Sequence, residues 1–176
     1  MKIKLALLAL LVTAISFTGC DKLKDKADIT FDANYTTDLN VTVTPGRDVN
    51  GTFNESATID LASNPDVQEY LNVIQSWEII GLTGEANNVS TDFNLISANL
   101  SVTSSDRSAS WSFSNLPVTN GTTLTLDNSD GQWDTINQML ADRQEITVSF
   151  TGQTDVDDVS FTLTVTIQTR VTANPL

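Results

Sequence analysis

The sequence contains no histidine and a single cysteine, Cys20. Without histidine there is no Ser-His-Asp or Cys-His nucleophilic pair, no histidine general base and none of the usual zinc sites. Cationic side chains are scarce too: 9 Lys and Arg stand against 22 Asp and Glu, a formal net charge of −13. So acidic a surface disfavours nucleic acid and anionic lipid headgroups as partners and favours solubility. There is no Gly-rich phosphate loop and no basic-aromatic patch. Long hydrophobic runs are missing as well. The apolar stretch from Leu5 to Phe17 falls short of the roughly 20 residues that a transmembrane helix requires.

That stretch follows Lys2 and Lys4 and ends in Phe17-Thr18-Gly19-Cys20. A positive start followed by an apolar centre of this length has the pattern of an export signal. Its last four residues resemble the lipobox of bacterial lipoproteins, in which Leu, a small residue and Gly or Ala precede Cys. Phe17 stands where Leu is commoner. The resemblance covers the signal and Cys20 alone. It implies diacylglycerol on the Cys20 sulfur, cleavage after Gly19, acylation of the new amine, and a membrane as the first partner. Residues 1–19 are thus expected to form the signal, 20–28 the lipidated cysteine and a charged tether, and 29–176 a single domain. Losing Lys2 and Lys4 with the signal takes the side-chain charge from −13 to −15. With Cys20 acylated no intramolecular disulfide can form, so packing and sheet hydrogen bonds must supply the stability. Asp21 follows the cysteine, and one known sorting scheme retains such lipoproteins at the inner membrane, while other lineages read this position differently. The acidic, Asn/Thr-rich domain favours the outer membrane; the periplasmic face of the inner membrane is the alternative.

From Ile29 onward apolar residues recur at every second position. Ile29, Phe31, Ala33 and Tyr35 share one parity, and Leu39, Val41 and Val43 continue it, as in a long strand with one buried face. Pro45-Gly46 and Asn50-Gly51 supply turns. Phe53, Ala57, Ile59 and Leu61 mark a second strand. Ser63 or Asn64 can cap a short helix, with Pro65 first in it and Asp66 near the positive end of its dipole. Val67, Tyr70, Leu71 and Ile74 would form its apolar stripe. Strands resume at Trp77, Ile79 and Leu82, and again at Phe93 and Leu95. There the parity shifts to Ile96, Ala98, Leu100 and Val102, which predicts a β-bulge near Leu95-Ile96. Ala109, Trp111 and Phe113 give a fifth strand, and Leu124 with Leu126 a sixth. A second helix fits residues 130–142, with Trp133, Ile136 and Leu140 along one side and Asn128 or Ser129 as its cap. Ile146, Val148 and Phe150 form a seventh strand, and Val159, Phe161, Leu163, Val165 and Ile167 an eighth.

Eight half-buried strands at regular spacing predict an antiparallel β-sandwich, with the two short helices over its ends or one edge. The alternative is an α+β layer with both helices on one face of a single sheet. The order reads ββαββ twice, and ATIDLASNPD…EIIGLTGE can be laid over TTLTLDNSDG…EITVSFTGQ. The repeat is weak, because any two strand-helix-strand units share some pattern by chance.

Chemistry has few footholds. Asp60, Glu69, Glu78 and Glu85 could supply a carboxylate acid/base pair, but no spacing singles out two of them. DNSDG at 127–131 has the look of an EF-hand loop, yet with Gly131 at loop position six, position one would be Leu126. It reads better as a turn and helix cap. Asp155, Asp157 and Asp158 could together ligate calcium, although a solvated hairpin loop is the simpler reading. Trp77, Trp111 and Trp133 could stack on sugars if exposed, but each falls on the apolar parity or stripe of its element. The Asn-x-Ser/Thr triplets at Asn34, Asn40 and Asn54 carry little weight in so Asn/Thr-rich a chain. Three functions follow. The favoured one is a non-enzymatic, lipid-anchored envelope protein that binds or supports another envelope component, protein or glycan. The others are a surface carbohydrate-binding module and a hydrolase using carboxylates alone. No cofactor and no nucleic acid enters any of them.

Overall fold

A computed structural model describes residues 28–43, 50–143 and 145–176. The export signal, Cys20, the tether up to residue 27 and the Pro45-Gly46 turn lie outside the described residues. Eight strands follow one another: β1 (Ile29–Val43), β2 (Thr52–Ile59), β3 (Ile74–Asn87), β4 (Phe93–Thr103), β5 (Ser108–Val118), β6 (Thr122–Thr125), β7 (Ile146–Thr154) and β8 (Val159–Ala173). Helix α1 (Pro65–Tyr70) lies between β2 and β3, and α2 (Gln132–Ala141) between β6 and β7. One sheet has the order β1-β8-β3-β6 and the other β2-β7-β4-β5, and every pairing is antiparallel.

Apart from the β4–β5 hairpin, each connection crosses from one sheet to the other. This order is the double Greek key of a jelly roll. The expected sandwich is therefore the fold. The single-sheet alternative is overturned, because the eight strands divide equally between two layers. Advancing every strand by four positions exchanges the two sheets, so the two strand-helix-strand units occupy equivalent places. Any chain with this strand order has that property, so it says nothing of a duplication.

Alternation drives the assembly. Val159, Phe161, Leu163, Val165 and Ile167 of β8 all point inward and are buried. The pattern runs on to Val171 and Ala173, farther than the hydrophobic residues up to Ile167 indicate, because Thr169 occupies an inward position without cost. It is fully buried and its hydroxyl donates to the Ala33 carbonyl at 2.8 Å. Between the sheets Phe53, Phe93, Phe150 and Phe161 form an aromatic layer, with ring centroids 4.9 to 6.4 Å apart. Each such pair adds about 0.5–1.5 kcal/mol beyond its buried area.

The bulge expected near Leu95-Ile96 is present. The register of β4 against β7 shifts between Leu95 and Ser97. The buried residues change there from Phe93 and Leu95 to Ala98, Leu100 and Val102. Gly152 of β7 lies opposite Ala98; a Cβ there would come within 2.7 Å of the Ser97 carbonyl oxygen and 2.6 Å of the Phe53 ring. A second bulge separates Ile79 from Gly81 in β3, moving burial from Trp77 and Ile79 to Leu82 and Ala86.

The helices are shorter than their apolar stripes suggest. Asn64 caps α1, its side-chain oxygen accepting from Asp66 N–H at 3.0 Å and from Val67 N–H at 3.3 Å. The helix nevertheless ends at Tyr70, and Ile74 opens β3 opposite Ala173. Leu61, read as the end of a strand, begins a 3-10 turn from Leu61 to Ser63. The Tyr35 hydroxyl anchors that turn by donating to the Leu61 carbonyl at 3.0 Å, and burial pushes its pKa up. Helix α2 starts at Gln132 rather than Asp130, because Gly131 takes a left-handed φ of 76° just before it. The N-cap is Gly131 rather than Asn128 or Ser129, although the Asn128 side-chain oxygen accepts from Trp133 N–H at 2.8 Å across the turn. Ile136, Met139 and Leu140 are buried where α2 packs against β3 and β5 and closes one side of the sandwich.

Leu163 is 1% exposed, whereas Thr162 is half-exposed on the opposite face and donates to Asn40. Leu163→Ala is expected to cost about 2–5 kcal/mol in urea melts. Thr162→Ala should cost no more than about 1 kcal/mol. Equal losses would mean that something covers the outer face as well.

Candidate functional site

The two outer faces differ in chemistry. On the sheet β1-β8-β3-β6, charged residues are interspersed among threonines. Asp32 pairs with Arg170 at 3.1 Å, and Asp38 accepts from the Thr164 hydroxyl at 2.7 Å. Thr36 and Thr166 meet at 3.3 Å, and Glu78 and Glu85 project from β3 in the same face.

The outer face of β2-β7-β4-β5 carries no charge across a grid of four strands by four positions. Its rows are Thr52, Gln153, Ser97 and Ser114; Asn54, Thr151, Asn99 and Ser112; Ser56, Ser149, Ser101 and Ser110; and Thr58, Thr147, Thr103 and Ser108. None of these side chains is buried. Strand geometry spaces them about 6.8 Å apart along a strand and about 4.8 Å between strands. Every position donates and accepts hydrogen bonds, and none stacks.

Along the edge strand β5 this grid runs into a cleft of about 480 Å³, lined by Ser110, Ser112, Phe113, Asp127, Asp130 and Gln132 among others. One wall is the β6–α2 connection, which two indoles fix in place. Trp111 Nε1–H donates to the Asp127 carbonyl at 2.8 Å, and Trp133 Nε1–H donates to the Leu126 carbonyl at 2.9 Å. The Asp127 carboxylate accepts from the Ser129 hydroxyl at 2.9 Å and turns the loop. Gln132 is 9% exposed; its carbonyl oxygen accepts from Asp130 N–H at 2.9 Å, and its amide N–H groups have no partner among the described residues.

The residues singled out from sequence fall as follows. Trp77 and Trp111 are buried, and Trp133 is half-buried with its N–H engaged, so the three form no platform. DNSDG is the turn and cap just described. Asp60 caps the 3-10 turn by accepting from Ala62 N–H at 2.9 Å, Glu69 lies on α1, and Glu78 and Glu85 lie on β3. Asp60 shares a cleft of about 290 Å³ with Arg143 and Glu145. Both carboxylates are exposed, whereas an acid/base pair needs surroundings that push its two groups apart in acidity. Asn34, Asn40 and Asn54 all lie on outward strand positions.

Asp155, Asp157 and Asp158 do lie in or beside the β7–β8 turn. Among the described residues, however, no three His, Cys, Asp or Glu are placed to hold a metal ion. Asp155 turns both oxygens to β4 instead, accepting from Asn94 N–H at 2.7 Å and from Asn94 Nδ2–H at 2.8 Å. Those bonds from Asn94 hold its carboxyl below the usual carboxylate range. Phe113 and Gln132 were missed as site residues. The alternation in SASWSFS marks the inward and outward positions of β5, but only the fold places Gln132 against them.

No family model matches the chain. No curated protein matches it. Among solved structures it is similar to the decameric BFDV capsid protein, at 8% identity over 81% of this chain and 99% of that one, with a TM-score of 0.45. It is similar also to Desmodium yellow mottle tymovirus, at 8% identity over 84% of each chain and a TM-score of 0.33. Likenesses this distant carry no argument about function, and the fold rests on the strand order itself.

Asp155→Asn is expected to lower stability at neutral pH. Its folded pKa lies below the unfolded value of about 3.9. The wild-type advantage is therefore complete above that pH and fades as pH falls through the folded pKa. Urea melts of both proteins across the acid range test this, and a gap that persists at the lowest pH would refute it. Millimolar calcium should move the melting temperature only slightly. A clear rise that disappears in Asp157→Asn would make the 155–158 turn a cation site.

Proposed function

We propose that this chain is a lipid-anchored, non-enzymatic protein of the bacterial cell envelope whose β-sandwich binds or supports another envelope component. The observation that carries the binding role is the uncharged hydroxyl and amide grid on β2-β7-β4-β5. In a protein with an excess of 13 negative charges, that face offers contact without like-charge repulsion or the cost of stripping water from ions. The anchor rests on Cys20 and the lipobox-like residues before it. The absence of histidine and the exposure of Asp60 and Glu145 favour binding over hydrolysis.

Growth with a labelled fatty acid tests the anchor. The wild-type protein should take up label and fractionate with membranes, the outer membrane in preference to the inner. Cys20→Ala should take up none and accumulate as an unprocessed precursor, because the thioether site is gone. Normal processing and membrane retention of that variant would remove the anchor from the proposal. Recovery of the wild type wholly in the inner-membrane fraction would reverse the sorting.

A further inference from the structure

We infer that the cleft beside β5 binds a neutral oligosaccharide. Three features argue for it. Phe113 packs in part against the core and is only partly buried where it lines the cleft, an aromatic residue of the kind that meets the C–H face of a sugar. Around it stand Ser110, Ser112, Asp127 and Asp130, hydroxyls and carboxylates that pair with sugar hydroxyls. Gln132, nine-tenths buried in the same cleft, has amide N–H groups without a partner among the described residues. A buried donor of that kind carries a desolvation cost that an incoming acceptor relieves.

The cleft is open and mostly polar, and its volume of about 480 Å³ leaves room for a hydroxyl-rich ligand. The two indole anchors hold the wall in place before a ligand arrives, which reduces the ordering cost of binding. Charge sets the ligand class. Asp127 and Asp130 repel uronates and other anionic sugars, while the adjoining grid extends the same hydroxyl chemistry for a longer chain. This inference rests on the proposed binding role, and it replaces a tryptophan platform with a single phenylalanine and a buried amide.

Full-length protein in a non-sugar detergent can be titrated with maltohexaose, cellohexaose and hexa-N-acetylchitohexaose, with an oligogalacturonate as the anionic control. Saturation-transfer NMR and calorimetry read the binding. At least one neutral hexasaccharide should bind and the anionic one should not. Phe113→Ala and Gln132→Ala should each weaken binding about tenfold. Phe113→Leu keeps the apolar bulk and should lose affinity too, whereas Thr162→Ala, on the outer face of the other sheet, should not. No binding by any neutral probe, equal binding of the oligogalacturonate, or full affinity in Phe113→Leu would overturn the inference. Fatty-acid labelling at Cys20 is read separately, so failure to bind sugar with labelling intact would sink the saccharide and leave the anchor standing.

Discussion

The contact between the inner faces of the two sheets carries the stability of this chain, because nothing else in the domain can. There is no cysteine outside Cys20, and the ion pairs among the described residues lie at the surface, where each is worth about 0–1 kcal/mol. What remains is apolar area removed from water and the hydrogen bonds of the ladders that hold it there. The four phenylalanines meet across that contact, and β8, central in its sheet, contributes the longest inward row. The helices depend on the same core: α2 is held by Ile136, Met139 and Leu140, and the turn before α1 by Tyr35. Each reaches its place by touching the sandwich rather than by its own helical strength.

Because every strand commits one face to that contact, the other face is free for function, and the two sheets use it differently. One mixes acids with threonines. The other is neutral throughout its grid and leads to a cleft that offers an aromatic residue, carboxylates and an amide without a partner among the described residues. The cleft lies where the chain leaving the four-residue β6 passes the edge of β5 before α2 begins.

The strands were legible wherever one parity held. β8 shows its alternation outright, and the bulge at Leu95-Ile96 can be read because the parity changes between two long runs. The bulge at Ile79–Gly81 cannot, since Ile79, Ile80 and Leu82 satisfy either parity. Ile74 misled for a related reason: it fits the helical stripe of Val67 and Leu71 and the first inward place of β3 equally well. The sheet order lay beyond local pattern. Ile29 pairs with Ala173, and no period of two or 3.6 encodes a partner that far along the chain. The cleft was hidden likewise, its ring on β5 and its amide on α2, two elements whose closeness only the finished topology supplies.

The edge strand β5 has one more property. Pro117 has no N–H to donate, and Asn115 turns its backbone to a φ of 51°, opposite the bulge in β4. An unbroken edge of this length would be a template on which a neighbouring copy could add a strand. A missing donor and a kinked backbone interrupt that template near the end of β5.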